Sequence, residues 1–510
     1  MPLAAHLADS PSARDIGSLA LSVVRNDNPM LAMRAAHWRN SLMRVGLPVP
    51  FWAVHDIGML TIVDPTSVPV GPRPLLQRLQ LPGPVGGALQ AYTETLQEIG
   101  ASEVLEKARQ WRLSDELIAV LLLKVLGPLF ERYRGHQLSA GIPTILPMDP
   151  EVYRDLDPQL ADLFGRHDRG DDLGFIQHVA RERIRLITAI EQIDLDTLRL
   201  LGMFGAEASA AGAMEMLDLL NVFESPEAND VVNFSLDLLP SVLETKRASG
   251  QQMFSVDGYS GVERRGTIDS LVLSELAFDE ELFDRRFAEN EVFYYAREKQ
   301  HEEDRRLHYI MVDASASMRG QRSVFARGLA LTLIKKLLLQ GEDVYFRFFD
   351  SRLYEVQHAR HGRSDTGGIS VPYVLCFKGE RGRNYAKVFG MLANELQRLH
   401  RRERRTPILY VLTHAQCHVP LDTIERLRAI ARLYGVFMLP STGELELEYL
   451  HRLNTVQVVD NQSLTQRDAR AARALEIVDD ATTTSAKDVE SDDEEEVRHS
   501  VPPPPPSELI

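Results

Sequence analysis

The chain has little cysteine, no long apolar run and no glycine-rich nucleotide loop, and each absence removes a class of protein. Two cysteines in 510 residues, Cys376 and Cys417, cannot build a disulfide framework and suit a reducing compartment. The most apolar window, Leu117–Phe130, is interrupted by Lys124 and too short for a bilayer, so it reads as a buried helix and no membrane insertion is expected. Residues 1–15 show no basic stretch followed by an apolar one, so no export signal is read and the chain is expected to be cytoplasmic. No Gly-x-Gly-x-x-Gly, Gly-x-x-x-x-Gly-Lys-Ser/Thr or Gly-x-Ser-x-Gly context occurs, which leaves nucleotide binding and hydrolase chemistry without their loops.

What is there is an ordinary globular composition, 44% hydrophobic and 25% charged, with length for two or three domains. The formal charge of −16 argues against nucleic acid as a partner, but it is unevenly spread. Between Asp479 and Glu496 stand nine carboxylates and one lysine, half of the total. The basic cluster Arg398–Arg405 reads as a helix end complementing its dipole, with an acidic-partner or nucleic-acid patch as the minority reading.

Residues 1–250 read as mainly helical, with apolar residues at three and four over Leu19–Val24, Met30–Leu47, Leu89–Ile99, Leu113–Tyr133, Leu186–Phe204 and Ala211–Phe223. One short strand is predicted at Met59–Val63. The acids Asp149, Asp155, Asp157, Asp168, Asp171 and Asp172 are scattered among turn residues and read as solvated loops. Residues 251–306 form a connector or docking segment of alternating acid, base and large apolar side chains.

From 307 to 460 strands and helices alternate. Strands are expected at His308–Val312, Val344–Phe349, Ile408–Leu412, Val436–Leu439 and Val456–Val459; helices at Arg322–Gln340, Tyr385–Arg401, Leu421–Tyr434 and Leu445–Leu453. Strands without a polar face imply a doubly wound, mostly parallel sheet, so the fold class is α plus α/β. Residues 461–510 read as a disordered tail, with a last helical turn or two at Arg467–Leu475, beyond which Asp479–Ile510, acidic and then proline-rich, cannot bury enough apolar surface to fold alone.

The chemistry centres on His308 to Gly320, where an apolar strand delivers Asp313, Ser315 and Ser317 into a loop. Carboxylate and hydroxyl oxygens at a strand end suit a small hard cation, and they equally suit turn and cap roles. With those residues in place, 307–460 resembles a von Willebrand factor A domain, whose metal-ion-dependent adhesion site opens with Asp-x-Ser-x-Ser. The resemblance implies Mg²⁺ at Asp313, Ser315 and Ser317, completed by a threonine and an aspartate from two further loops and by a partner's carboxylate. Here the threonine position falls on Arg383, followed by Asn384, and the aspartate position on His414.

One carboxylate and one hydroxyl fewer, and one guanidinium more, weaken the charge that dehydrates a cation. The expectation is therefore that Arg383 or protonated His414 pairs with Asp313, leaving a metal-free site where Arg383, Asn384 and His414 meet a partner carboxylate. A transition-metal site at His414, Cys417 and His418 is the remaining metal alternative.

A helical region ahead of such a domain, joined by a segment with Arg265-Gly266-Thr267-Ile268-Asp269, then Ser274-Glu275-Leu276, then Phe287-Ala288-Glu289-Asn290, resembles bacterial proteins of the CoxE and ViaA type. That resemblance implies a non-enzymatic adaptor for a MoxR-class AAA+ ATPase and a target protein. The alternatives are a scaffold with a decayed metal site and a Mg-dependent phosphotransfer enzyme; the second needs an aspartate where Ser315 stands.

Overall fold

The computed structural model describes residues 12–25, 28–78, 82–133, 143–146, 156–204, 216–249, 259–263, short pieces between 272 and 297, and 306–360, 368–380, 382–440 and 445–482. The chain divides into two compact units, residues 1–233 with 364–378, and residues 234–363 with 379–510. The segments Arg265–Asp269 and Phe287–Asn290 lie outside the described residues, as does the proline run after 500.

The first unit is helical. Its core is built around α1 (Pro29–Arg44), α2 (Phe51–Leu60), α3 (Gly83–Gly100), α4 (Asp115–Arg132) and α5 (Gly170–Arg181). Trp52 sits among their side chains, edge-on to Tyr92 and tilted against Phe175. The strand read at Met59–Val63 is instead the end of α2 and the turn after it. Every residue of α2 is buried, the polar His55 and Asp56 included, so no exposed polar face leaves a helical stripe to tell its end from a strand. The single helix read over Leu186–Phe204 is two, Arg183–Glu191 and Leu195–Met203. Asp194 makes the break by accepting the amides of Asp196 and Thr197 as an N-cap. Leu19–Val24 holds only a short turn of 3-10 helix, Leu19–Leu21.

The second unit contains a six-stranded sheet. After a short antiparallel pair, β1 (Tyr259–Glu263) and β2 (Tyr294–Arg297), come β3 (Leu307–Asp313), β4 (Asp343–Phe349), β5 (Gln357–Ala359), β6 (Pro407–His414), β7 (Arg432–Met438) and β8 (Thr455–Val459). Their order is β5-β4-β3-β6-β7-β8, and only β5 runs antiparallel within this sheet. Helices cover both faces, as the alternation predicted. On one face α6 (Gln321–Leu339) lies against β3, β4 and β6, apolar on nearly every side and correspondingly buried. On the other, α7 (Tyr385–Glu403) and α8 (Leu421–Arg428) pack Val388, Phe389, Leu392 and Leu427 onto Leu307, Tyr309 and Met311.

Two helix expectations shorten. Leu421–Tyr434 stops at Arg428, because Leu433 and Tyr434 are drawn into β7 beside β6. Leu445–Leu453 contains only the 3-10 turn Leu450–Arg452. One lengthens: the folded chain continues past 460, through Asn461–Thr465 and a helix, α9, over residues 467–482. Ala474, Ile477, Val478 and Ala481 on α9 are buried, enough apolar contact to hold these residues in the unit. The tail boundary read at 461 therefore moves to 483 for the described residues.

Candidate functional site

Because β3 is central, with β4 on one side and β6 on the other, the chain reverses its direction of winding at β3. The crevice at the carboxyl ends of β3 and β6 is where sheets of this kind bind ligands. Asp313 ends β3 and His414 ends β6, so the register alone brings together two residues a hundred positions apart. Asn384 precedes α7, and its side chain accepts the Lys387 amide as an N-cap, which places Tyr385 in the first turn facing the crevice.

The floor of the crevice is a closed set of hydrogen bonds. The Ser315 amide donates to Asp313 Oδ1 at 2.8 Å, and Thr413 Oγ1 donates to Asp313 Oδ2 at 2.6 Å. Tyr385 reaches the same oxygen at 3.1 Å and lies 3.3 Å from Ser315 Oγ. The Gln416 amide donates to His414 Nδ1 at 3.0 Å, which makes that nitrogen an acceptor. The neutral imidazole then carries its proton on Nε2, 2.8 Å from the Tyr385 hydroxyl. A single run of donors follows: Gln416 N–H to His414, His414 to Tyr385, Tyr385 to Asp313.

Electrostatics agree with this proton placement. Burial lowers the His414 pKa, and Asp313 opposes that shift while Arg383, Arg322 and His418 reinforce it. Burial, then the Asp313 charge, raises the Tyr385 hydroxyl well above its ordinary value, so it stays a phenol and a donor. Burial likewise pushes the Cys417 thiol up to about 12, which leaves it a protonated, inert neighbour.

These contacts replace the ion pair expected at Asp313. His414 Nε2 stands 3.7 Å from Asp313 Oδ2, with the tyrosine hydroxyl bonded to both, and the histidine is neutral. The Arg383 guanidinium instead donates to Ser317 Oγ, at the exposed rim. Of the six residues the sequence singled out, Asp313, Ser315 and His414 meet on the buried floor. Ser317 and Arg383 meet above them, and Asn384 is spent as a cap.

Tyr385 and Thr413 were missed. Tyrosine at a predicted helix start reads as apolar filling, and only the strand register shows that Thr413 faces Asp313. Asp350 was missed too. It is fully buried just after β4, accepts the Tyr354 hydroxyl at 2.7 Å, and approaches the loop of Gly379, where an added Cβ would lie 2.9 Å from its Oδ2.

An octahedral divalent cation needs several free oxygens and uncompensated negative charge. Here one carboxylate already accepts three donors, Ser317 carries a guanidinium, and Tyr385 fills the space beside Ser315, so this donor set does not fit the ion. Among the described residues no group of three or more histidine, cysteine, aspartate or glutamate side chains is placed to hold a metal, the His414, Cys417 and His418 set included. Around the floor, Arg319, Arg383 and His418 are exposed and Arg322 half-exposed, a cationic rim on a protein of opposite net charge.

The helical unit holds one further arrangement with catalytic residue types: Ser22, His55 and Asp56. All three are buried to 0–1% exposure, and Ser22 donates to Asp56, which also accepts the Val23 and Val24 amides. Its hydrogen bonds fasten an extended segment to α2.

No protein-family model matches the chain, and no curated protein matches it. Among solved structures the chain is similar to a von Willebrand factor type A protein from Catenulispora acidiphila, at 13% identity and a TM-score of 0.26. The match spans 34% of this chain and 42% of that one, less than half of either. The doubly wound fold described above rests on this chain's own strand order.

Proposed function

We propose that the chain is a non-enzymatic protein-binding adaptor whose α/β unit receives a carboxylate of a partner protein at the Asp313 loop, without a metal. The observation that carries this reading is Arg383, exposed and oriented by Ser317 over a floor whose polar groups, the Asp313 carboxylate included, are already hydrogen-bonded to one another. A guanidinium at that place offers a carboxylate the positive charge that a cation would otherwise supply, with planar geometry suited to two hydrogen bonds. Asp313 has its oxygens engaged by three donors, which supports a binding role over one as a nucleophile.

The resemblance to CoxE and ViaA-type proteins extends the proposal to a MoxR-class AAA+ ATPase as the partner, with a target protein presented to it. A cytoplasmic location belongs to the same proposal, supported by two free cysteines. Among the described residues no helix is long and apolar enough to cross a membrane.

A tagged full-length chain and its Arg383→Glu variant, used as baits in cytoplasm of the source cell, test this. Recovery of an AAA+ ATPase by the wild type, reduced about tenfold or more in the variant, is the expected result for an interfacial charge pair turned repulsive. Equal recovery by both would remove Arg383 from the interface. The closure of the floor also favours the scaffold reading, in which Asp313 only holds β3 to β6; recovery of no ATPase by either bait supports that instead.

A further inference from the structure

At the opposite end of the sheet, where the strands begin, lies a dense cluster of arginines. The last turn of α7 and the start of β6 bring Arg398, Arg401, Arg402, Arg404 and Arg405 together, and Arg428 at the end of α8 joins them ahead of β7. The local acids are already used. Glu403 pairs with Arg360, Arg402 and Arg405, and Asp343 pairs with Arg405 at 2.8 Å. Arg398, Arg401, Arg404 and Arg428 are exposed and have no carboxylate partner among the described residues. Four guanidinium groups without a carboxylate partner among the described residues, Arg398 bonded only to the Asn394 carbonyl, repel one another in a chain that carries −16 overall.

The course of α9 shows where the acidic stretch leaves the folded unit. Near its start Arg470 bonds Gln321, the first residue of α6. Near its end Asp479 pairs with Lys336 in the last turn of α6, and Asp480 accepts from Tyr434 near the start of β7. So α9 runs down the sheet and ends at residue 482 on the strand-start end, the end that carries the arginines. The arginines sit on the α7 and α8 face and α9 on the α6 face, so the chain must pass under the sheet to meet them. Residues 483–487 carry the chain roughly 20 Å when extended, about the distance through a sheet with helices on both sides, so the linker just brings Asp488 to the arginine side and the acidic segment continues across it. Seven carboxylates lie from Asp488 to Glu496.

We infer that the segment Asp488–Glu496 docks on the Arg398, Arg401, Arg404 and Arg428 surface of its own chain and shields it from other acidic partners. Tethering supplies the affinity: a short linker holds the segment at an effective concentration in the millimolar range, enough to saturate a contact made by charge alone. The contact weakens with salt because its charges are at the surface.

The test uses full-length protein throughout and a labelled synthetic peptide of residues 484–498 as probe. The tail-neutral variant replaces Asp488, Asp492 and Asp493 by Asn and Glu490, Glu494, Glu495 and Glu496 by Gln. It should bind the peptide about tenfold or more tightly than the wild type does, because its own segment no longer competes. That difference should vanish at roughly 0.5 M salt. Adding Arg401→Glu and Arg404→Glu to the tail-neutral variant should abolish binding. Equal affinity for wild type and tail-neutral protein, or binding indifferent to the arginine reversals, overturns the inference. A difference that grows with wild-type concentration assigns the segment to a second copy and overturns the intramolecular contact.

Discussion

Tyr385 is the residue on which the crevice floor depends. Its hydroxyl stands between Asp313 and His414, both almost fully buried, and no solvent can replace it. Tyr385→Phe should lower stability by about 1–3 kcal/mol in denaturant unfolding, the cost of leaving a buried donor and acceptor unpaired. A change within a few tenths of a kcal/mol would mean that the three groups do not act as a chain. The metal question belongs to the same residues. In a thermal-shift titration the wild type is expected to show no response to millimolar Mg²⁺. Arg383→Thr with His414→Asp restores a hydroxyl and a carboxylate, and should introduce a Mg²⁺-dependent shift if Tyr385 can yield the space. Asp313, Ser315 and Ser317 were legible in the sequence because a strand followed by Asp-x-Ser-x-Ser is a local pattern. The Thr413 contact was not, since it depends on the parallel register between β3 and β6, which nothing local encodes.

Among the elements, α7 and β3 matched their sequence reading, while helix ends set by a cap or by strand pairing, as at Asp194 and Arg428, did not. α7 keeps its apolar residues on one stripe, and its predicted start at Tyr385 holds. β5 is three residues, Gln357 to Ala359, with no alternation to find, and it forms only because β4 offers an edge. α6 was legible as a helix although its buried faces were not. Gly328 shows why its sequence is constrained beyond apolar character. A Cβ there would lie 2.4 Å from Phe234, a buried ring stacked on Phe325 and capped by the Arg470 guanidinium. Alanine would gain about 1 kcal/mol of helix propensity over glycine, while overpacking a core costs about 1–3 kcal/mol. The second term wins with a ring that cannot retreat, so Gly328→Ala should destabilise the unit, seen as a lower midpoint in urea. A raised midpoint would show that the ring moves aside.

On the scale of the molecule, buried histidines give the α/β unit an acid limit. His308 in β3 is fully buried, stacked on Tyr410 with its Nδ1 3.1 Å from that hydroxyl, and burial with the nearby Arg306 lowers its pKa to about 3. Unfolded, it titrates near its ordinary value of about 6.5. Between these values the unfolded chain binds a proton that the folded chain refuses, so stability rises with pH and is lost as pH falls through that window. His414 is shifted in the same direction and adds to the loss. Glu342, whose carboxylate burial pushes up, acts oppositely and offsets part of it. One such proton corresponds to roughly 1.4 kcal/mol per pH unit. Replacing His308 by Phe keeps the ring and removes the titration, so the acid limb should flatten by about 3 kcal/mol between pH 6.5 and 4. The three tryptophans, Trp38, Trp52 and Trp111, all lie in the helical unit and are blind to this. The measurement is therefore amide exchange in β3, corrected for intrinsic rate, at several pH values. An unchanged pH slope in His308→Phe would place the acid limit instead at Glu403, whose carboxylate, despite burial, Arg360, Arg402 and Arg405 hold below its ordinary value, and Arg360 and Arg405 would be the residues to replace next.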